Sequence, residues 1–510
     1  MNGRAQQDLT TGPGPVLVTP EDPRYDQLTR GENYRFVAKP DYVRLARTAA
    51  EVEEAVADAV AAGKRLTVRS GGHCGEDFVF APDVEVIVDL SLMDHVGFDH
   101  DRNAFVIEPG ATLGLIYGTL LKNWGVTVPG GTCMSVAAGG HICGGGLGPL
   151  SRLHGLVVDY LHAVEVVVVA EDGTVSTVVA TRDPDDPNHD LWWGHTGGGG
   201  GNFGVVTKYW LRAQDVDSTD PRDLLPRPPS ALLVAKVSWP WADLTEPAFT
   251  RLVRNFLTWH LANSDVGSPT AGLYAYLECF HRCNGNVVLT VQASADMPDA
   301  QAVLAEFLDA VGSGVGVTPE VRRIDLPWLA AAWYLTPPDS GPSAIGVRRK
   351  VKSTDLRGPH TAEQIATVYR HLTTGPDLTG VGYIEYMGYG CAVNAVPSDA
   401  TARADRDTLV KTFFNAFWTD PADDGAHLDW LRRMYRDIHA DTGGVPVPNE
   451  VNVGAYINYA DIDLADPSWN TSDVPWHELY YGKSYPRLQR VKAAWDPRDV
   501  FRHTLSIRPA

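Results

Sequence analysis

Two glycine turns, whose nucleophilic side chains lie sixty residues apart, constrain this chain more than any other feature. The first is residues 69–73 (RSGGH), and the second is residues 130–133 (GGTC), followed by a glycine-rich run over 137–148. Glycine permits positive φ and lets backbone N–H groups approach a ligand closely. Each turn therefore presents one nucleophile, an imidazole or a thiol, where a bound ligand would lie.

A histidine and a cysteine on such turns predict the two attachment points of a bicovalent flavin. The neutral imidazole of His73 is a competent nucleophile toward the 8α-methyl group of an isoalloxazine, and Cys133 would supply the second link. The turns do not fit a Rossmann fingerprint or a P-loop, so the usual dinucleotide motifs are excluded. Two alternatives stay open: His73 is a satisfied turn residue, or Cys143, inside the same glycine run, is the reactive thiol.

Composition bounds the class of protein. The 510 residues suggest two or three domains, and a net charge of −20 disfavours a nucleic-acid or anionic-membrane partner. The six cysteines show no zinc spacing or disulfide framework, so we expect no metal. No apolar run approaches the roughly 18 residues of a membrane span, and the first fifteen residues do not resemble a signal peptide. We therefore expect a cytoplasmic protein, with the oligomeric state undetermined.

The hydrophobic pattern predicts an α+β fold. Residues 47–62 have helical periodicity, 64–68 and 84–90 are predicted strands, and 166–179 forms a hairpin around the turn at Asp172. The Asp- and Pro-rich stretch 213–230 is a predicted linker to an antiparallel sheet covered by helices. The predicted organisation is a lead-in (1–30), a first domain (31–212), a second domain (213–442) and a C-terminal segment returning to the first domain (443–510).

Two further motifs need an interpretation. The five glycines at 197–201 precede Asn202 and lie between a predicted helix and a predicted strand, which favours a rigid loop under a ligand over a flexible linker. Tyr456 and Tyr459 lie three residues apart near the C-terminus. Packing is the ordinary role of a tyrosine, but a phenol near pKa 10 acts as a base when its neighbours lower that value.

In this order the motifs resemble the berberine bridge enzyme-like branch of the vanillyl-alcohol oxidase superfamily, and within it the actinobacterial oxidases that tailor antibiotics. The resemblance spans nearly the whole chain. It implies a flavin domain of two α/β subdomains, completed by the C-terminal segment, with the substrate domain between. It implies FAD bound through His73 (8α) and Cys133 (6-S). The matching stretches are 69–73, 88–91, 130–148, 190–207, 456–461, 495–501 and 506–507.

The site expected from this resemblance has three parts. Tyr459 is the candidate base, with Tyr456 as its rival. One departure is Leu147, which replaces a tyrosine found in many relatives; with Tyr383 and Glu385 it is assigned to the substrate side. The predicted cofactor-binding residues are His73, Cys133, Arg69, Ser70, Gly71, Gly72, Val136, Gly139, Gly140, His141, Gly144, Gly145, Asn202, Gly204, Val206 and Asn458.

The implied activity is an FAD-dependent oxidase that converts an alcohol on a sugar or polyketide-like scaffold to a carbonyl. Dioxygen would be the acceptor and hydrogen peroxide the second product, with a small-molecule natural product as the partner. Val136, three residues after Cys133, is a small residue typical of family members that react with dioxygen. The alternatives are an oligosaccharide or aldose oxidase that forms a lactone, and a flavin-binding protein without catalysis.

Overall fold

The computed structural model describes residues 16–336 and 346–510, which build three β-sheets. Residues 1–15, half of the expected lead-in, lie outside the described residues; residues 16–18 already form a strand. The first sheet has the order β1-β2-β4-β3, and its last three strands are parallel. Its strands are β1 (Val16–Val18), β2 (Tyr42–Leu45), β3 (Leu66–Arg69) and β4 (Val86–Asp89).

The second sheet is antiparallel, in the order β5-β6-β9-β7-β8. The predicted hairpin around Asp172 is its β7–β8 pair. The inner strand β7, which pairs with β9 and β8, has mostly buried side chains, as its continuous valine run predicts. The strands are β5 (Val96–Asp99), β6 (Ala104–Ile107), β7 (Leu161–Val169), β8 (Val175–Thr181) and β9 (Val205–Leu211).

The third sheet has eight antiparallel strands in the order β13-β10-β12-β11-β15-β16-β14-β17. Successive side chains of a strand point to opposite faces. On β15, Ile384 packs in the core beneath the helices, whereas Tyr383 and Glu385 line a cavity on the other face. The strands are β10 (Ala231–Trp239), β11 (Leu273–Phe280), β12 (Val287–Ser294), β13 (Glu320–Pro327), β14 (Arg348–Leu356), β15 (Val381–Gly388), β16 (Val410–Trp418) and β17 (Asn452–Gly454).

The helices complete the α+β class predicted from the sequence, which is confirmed. The helix expected at 47–62 spans Ala49–Ala61 and begins where the Thr48 hydroxyl accepts from Glu51 N–H. Among the described residues, no helix combines the length and apolar composition needed to span a bilayer. The α-helices are α1 (Tyr25–Leu28), α2 (Ala49–Ala61), α3 (Leu113–Trp124), α4 (Ala138–Cys143), α5 (Ser151–His154), α6 (His189–Gly194), α7 (Glu246–Ala262), α8 (Ala300–Gly312), α9 (Trp328–Tyr334), α10 (Ala362–Thr373), α11 (Asp424–Ile438), α12 (Trp476–Tyr481) and α13 (Tyr485–Trp495).

The C-terminal segment packs on both halves of the molecule. Leu488 and Val491 of α13 share a core with Leu191 of α6. In contrast, β17 adds an edge strand to the third sheet, and Leu464 packs in the core beneath that sheet. The segment therefore contacts the third sheet as well as the first domain, and the contact with the sheet was not predicted because the tripeptide strand β17 leaves too little pattern in the sequence.

Candidate active site

A cavity of about 410 Å³ lies where the glycine loops meet the open face of the third sheet. This volume is within the roughly 300–1,000 Å³ of ordinary ligand pockets. Both predicted nucleophiles line it. The predicted residues at its wall are Ser70, Gly71, Gly72, His73, Cys133, Val136, Gly139, Gly140, His141, Leu147, Asn202, Gly204, Val206, Tyr383, Glu385, Tyr456, Asn458 and Tyr459.

The turn that presents His73 follows β3 directly. Gly72 has φ of +73°, in the left-handed region that favours glycine. A Cβ on Gly71 would lie 2.8 Å from the backbone nitrogen of Ala137, so the turn packs against the second glycine run without space for a side chain. Arg69 does not line the cavity, contrary to expectation; its guanidinium lies 2.6 Å from the buried Asp89 carboxylate and joins β3 to β4.

The His73 ring has polar partners. Its Nε2 atom lies 2.6 Å from Glu32 Oε1 and 3.0 Å from Ser135 Oγ. Arg349 donates to the His73 carbonyl oxygen at 2.5 Å. The imidazole therefore has a fixed orientation at the cavity wall.

The loop that contains Cys133 is held by a buried imidazole. Gly131 N–H donates to His141 Nε2 at 3.2 Å. Burial, and to a lesser extent the charge of His73, lowers the pKa of His141 to about 4. His141 is therefore neutral near pH 7 and keeps the lone pair that this hydrogen bond requires.

The rival thiol, Cys143, also lines the cavity but is more deeply buried than Cys133. It is buried, and its Sγ atom lies 3.0 Å from the Tyr209 hydroxyl, which itself donates to the Gly139 carbonyl at 2.8 Å. Burial raises the pKa of Cys143 to about 11. Because the thiolate is the nucleophile, this protonated thiol is a poor candidate for attachment, and the geometry favours Cys133.

On one wall of the cavity, two glycine loops expose backbone that carries no side chains. No atom lies within 4 Å of a Cβ built on Gly140, and the neighbour found for Gly200 is Gly140 Cα at 3.9 Å. Side chains at these two positions would therefore enter the cavity. Exposed backbone of this kind fits the diphosphate and the planar ring of FAD.

The loop over 197–201 is rigid, as the flanking residues predicted. Asn202 Nδ2 donates to the carbonyls of Gly198 and Gly199 at 3.0 and 3.2 Å, and its Oδ1 accepts from Ile507 N–H at 2.9 Å. The Tyr481 hydroxyl also donates to Gly198, at 3.0 Å. A flexible linker would lack these internal bonds.

Gly144 and Gly145 are expected cofactor residues that do not line the cavity. A Cβ on Gly144 would clash with Asn458 at 1.9 Å, and one on Gly145 would lie 2.9 Å from Arg403 Cδ. Gly145 has φ of +117°. These glycines instead make space for Asn458, which lines the wall, and for Arg403 behind it.

Tyr456 is buried beside cationic groups. Its ring centroid lies 4.4 Å from the Arg403 guanidinium and 4.9 Å from Lys411 Nζ, and its hydroxyl accepts from Asn458 Nδ2 at 2.9 Å. Burial raises the pKa of Tyr456 to about 12, although Arg403 and the Asn458 hydrogen bond act in the opposite direction.

Tyr459 also lines the cavity and, unlike Tyr456, is only half-buried. Its ring packs on Phe413 with 4.2 Å between centroids. Burial and then the charge of Glu385 raise the pKa of Tyr459 well above that of a free phenol. Tyr459 is therefore a neutral phenol near pH 7 and can both donate and accept a hydrogen bond.

The opposite wall is the open face of the third sheet, which supplies alternate residues from β11, β14, β15 and β16. Tyr383 and Glu385 are among them, and Leu147, from the loop after α4, packs against this wall. Most of the wall was not predicted, although the period-2 pattern of the strands contains the signal. The additional residues are Tyr274, Arg349, Val351, Met387, Phe413, Asn415 and Phe417.

Two other residues were missed at the far end of the cavity. The His503 ring stacks on Phe78 with 3.9 Å between centroids, and both line the wall. Neither residue belongs to a motif, and 425 positions separate them in the chain. No local signal in the sequence could have paired them.

Comparisons with known proteins agree with this geometry. A family model of the FAD binding domain matches residues 40–178, and one described as berberine and berberine like matches residues 455–508. The aclacinomycin-N/aclacinomycin-A oxidase of Streptomyces galilaeus is 50% identical to this chain, over 97% of it and 90% of the relative.

Two solved structures are similar over almost their full length. CrmK, a flavoenzyme involved in shunt product recycling in caerulomycin biosynthesis, is 61% identical with a TM-score of 0.96, covering 98% of this chain and 100% of that chain. A glycopeptide hexose oxidase solved in complex with teicoplanin is 49% identical with a TM-score of 0.93, covering 98% and 99%.

The fold and the site define an FAD-dependent oxidoreductase. The chain belongs to the berberine bridge enzyme-like family of FAD-linked oxidases, as its sequence motifs predicted.

Proposed function

We propose that this oxidase binds FAD through two covalent links, from His73 to the 8α position and from Cys133 to the 6 position. The observation that supports this most strongly is that both side chains line one cavity beside the bare backbone of Gly140 and Gly200. Two links would keep the cofactor in place in a cavity that is open toward a bulky substrate. A cytoplasmic location stays a prediction from the sequence.

The substrate would be an alcohol on a sugar or polyketide-like scaffold. The named relatives act in antibiotic biosynthesis, and the wall facing the glycine loops is rich in aromatic side chains such as Tyr274 and Phe413, which suit sugar and polycyclic rings. FAD, when bound, would accept a hydride from the alcohol carbon. Dioxygen would then take the electron pair and two protons, giving hydrogen peroxide.

Tyr459 is the proposed proton acceptor for the substrate hydroxyl. It lines the cavity, and because burial and the charge of Glu385 raise its pKa, it would act as a neutral phenol that passes its own proton to the Glu385 carboxylate as it accepts the proton of the substrate hydroxyl. The general base must lie within hydrogen-bond reach of the hydroxyl, and the partial exposure of Tyr459 supports this.

Tyr456 is a second candidate base, favoured by a different observation. The cations Arg403 and Lys411 flank its ring and would stabilise a phenolate. Against it, Tyr456 is only 2% exposed and its hydroxyl is already hydrogen-bonded to Asn458. We therefore assign Tyr456 to holding Asn458 at the wall rather than to contact with the substrate.

A peroxide-detection screen tests the proposed activity. The purified holoenzyme is incubated in air with monosaccharides, oligosaccharides and glycosylated polyketides, and peroxide is quantified with the carbonyl product. Turnover of a glycosylated polyketide or peptide, with one peroxide per carbonyl, is the expected result. Lactone formation from free sugars would favour the aldose oxidase alternative. Reduction of the flavin by none of these alcohols would favour the alternative without catalysis.

A further inference from the structure

The His73 ring contacts a carboxylate on the side away from the cavity. Glu32 Oε1 lies 2.6 Å from His73 Nε2, and Ser135 Oγ lies 3.0 Å from the same nitrogen. His73 lines the cavity, whereas Glu32 and Ser135 do not. The His73 and Glu32 side chains are 15% and 17% exposed. Nε2 is therefore the nitrogen directed into the protein.

These contacts determine where the imidazole proton lies. Ser135 Oγ donates to Glu32 Oε1 at 3.3 Å, and a carboxylate can only accept, so the hydrogen between His73 and Glu32 belongs to Nε2. A neutral imidazole has one N–H and one lone pair. The lone pair is consequently on Nδ1, which has the nucleophilic role.

Glu32 is itself positioned by the backbone. Its N–H donates to the Gly72 carbonyl at 3.0 Å, and a Cβ on the preceding Gly31 would lie only 2.3 Å from that oxygen. Arg349 Nη1 lies 3.8 Å from Glu32 Oε2, while Nη2 of the same side chain donates to the His73 carbonyl. The carboxylate, the imidazole and the guanidinium thus form one connected group.

We propose that Glu32 is a positioning residue for flavin attachment, which selects Nδ1 of His73 as the linking atom and takes the Nε2 proton as the link forms. This inference rests on the proposed function of His73 as an attachment point. A bond forms between Nδ1 and the 8α carbon, and an 8α C–H bond breaks, with its proton leaving to solvent. The electron pair reduces the flavin, and dioxygen then accepts that pair with two protons as hydrogen peroxide.

The test isolates the histidyl link by using Cys133→Ala, in which His73 alone can bind the flavin. Glu32→Gln, Glu32→Asp and Ser135→Ala are each added to that background. The purified holoproteins are incubated with FAD in air, and the acid-stable flavin and the mass of the His73 peptide are followed with time. Glu53→Gln is the matched control, because Glu53 accepts from the Thr177 hydroxyl at 2.8 Å and does not line the cavity.

Loss of a positioned proton acceptor typically lowers a reaction rate 10²–10⁴-fold. Flavin attachment in Glu32→Gln should therefore be at least about 100-fold slower than in the Cys133→Ala parent. Glu32→Asp keeps a carboxylate and should therefore attach flavin faster than Glu32→Gln, although Gln is closer to Glu in shape. If Glu32 had a purely structural role, Glu32→Gln would be the faster of the two. Non-covalent FAD binding and the circular dichroism spectrum should be unchanged. Glu53→Gln should attach flavin at the rate of its parent.

Different failures have different meanings. No covalent flavin in Cys133→Ala itself would remove the histidyl link of the proposed function, and this inference with it. Attachment in Glu32→Gln at the parental rate would overturn only the role of Glu32. If Glu32→Gln does not fold, the atom that carries the link in the parent protein tests the proposal instead. NMR of the isolated flavin peptide should show that the flavin is bound to Nδ1 of His73. A link through Nε2 would overturn the proposal.

Discussion

Lys350 and Asp461 form a buried ion pair, with 2.6 Å between Nζ and Oδ1, close in sequence to Tyr459. Lys350 Nζ also pairs with the Glu76 carboxylate, and each of the three charged side chains is 1% exposed. Glu76 follows His73 by three residues. One lysine of β14 therefore connects the segment that contains the histidine with the segment that contains the candidate base.

Replacing this lysine should destabilise the whole fold. Lys350→Met leaves Glu76 and Asp461 buried without this cation, and removing one partner of a buried pair typically costs about 3–5 kcal/mol in the free energy of unfolding. Urea denaturation measures the change. The control is Arg433→Gln, whose exposed pair with Asp429 should contribute no more than about 1 kcal/mol. Equal effects of the two substitutions would contradict the argument.

Acid denaturation should leave the flavin on the protein. With two covalent links, neither His73→Ala nor Cys133→Ala should release most of the cofactor, because the other link remains. The double variant should release it into the supernatant, where absorbance quantifies it. Release of most of the yellow cofactor from the unmodified protein would disprove bicovalent attachment.

Loss of the Tyr459 hydroxyl should slow the reductive half-reaction. Tyr459→Phe is expected to reduce the rate of anaerobic flavin reduction by about 10²–10⁴-fold, the usual contribution of a general base. The visible spectrum of the bound flavin should be unchanged, and stopped-flow absorbance gives the rate. If Tyr459→Phe reacts normally and Tyr456→Phe does not, the roles of the two tyrosines are reversed.

A larger residue at Val136 should hinder dioxygen. Val136 lines the cavity three residues after Cys133. Val136→Leu should slow reoxidation of the photoreduced enzyme at least about tenfold, equivalent to about 1.4 kcal/mol in the barrier. Mixing with aerated buffer measures this step separately from substrate oxidation. Recovery over many minutes in the unmodified enzyme would instead indicate a dehydrogenase.

Leu147→Tyr introduces the hydroxyl that the family resemblance predicts at this position. Leu147 lines the cavity and packs in one apolar cluster with Tyr456 and Tyr459. The substitution should therefore change the ratio of kcat/KM between two accepted alcohols while acid-stable flavin remains complete. Loss of covalent flavin would show that Leu147 packs the cofactor loop.

Stability should decrease in mild acid. Burial lowers the pKa of His439 to about 4, compared with about 6.5 in an unfolded chain. Between these values the unfolded state binds more protons, so the free energy of unfolding falls as the pH decreases from about 6.5 toward 4. Urea denaturation across this range measures the slope. His439→Gln should reduce that slope, and an unchanged slope would contradict the assignment.

Local features of the fold were predictable. The helix at Ala49–Ala61 and the hairpin around Asp172 depend on periodicity and turn residues within short windows, so the sequence indicates both. The glycine turns at His73 and Cys133 were equally visible, because consecutive glycines mark places where the backbone needs positive φ or close approach.

Contacts between distant residues were not predictable. Arg349 donates to the carbonyl of His73, 276 positions away, and no residue pattern relates the two. Glu32 was missed for the same reason: its position depends on the Gly31–Gly72 approach, which exists only in the folded chain. Arg69 was assigned to the cofactor because it precedes the turn, but strand pairing directs it to Asp89 instead.

The shared core of Leu191 with Leu488 and Val491 has a consequence for synthesis on the ribosome. The helix before the 197–201 loop, α6, cannot complete its core until α13 has been synthesised, about 300 residues later. At roughly 5–20 residues per second this takes tens of seconds. During that interval an apolar surface of the nascent chain stays uncovered. The loop at 197–201, whose neighbour Asn202 accepts from Ile507 N–H, therefore reaches its final form only after the intervening chain has been made.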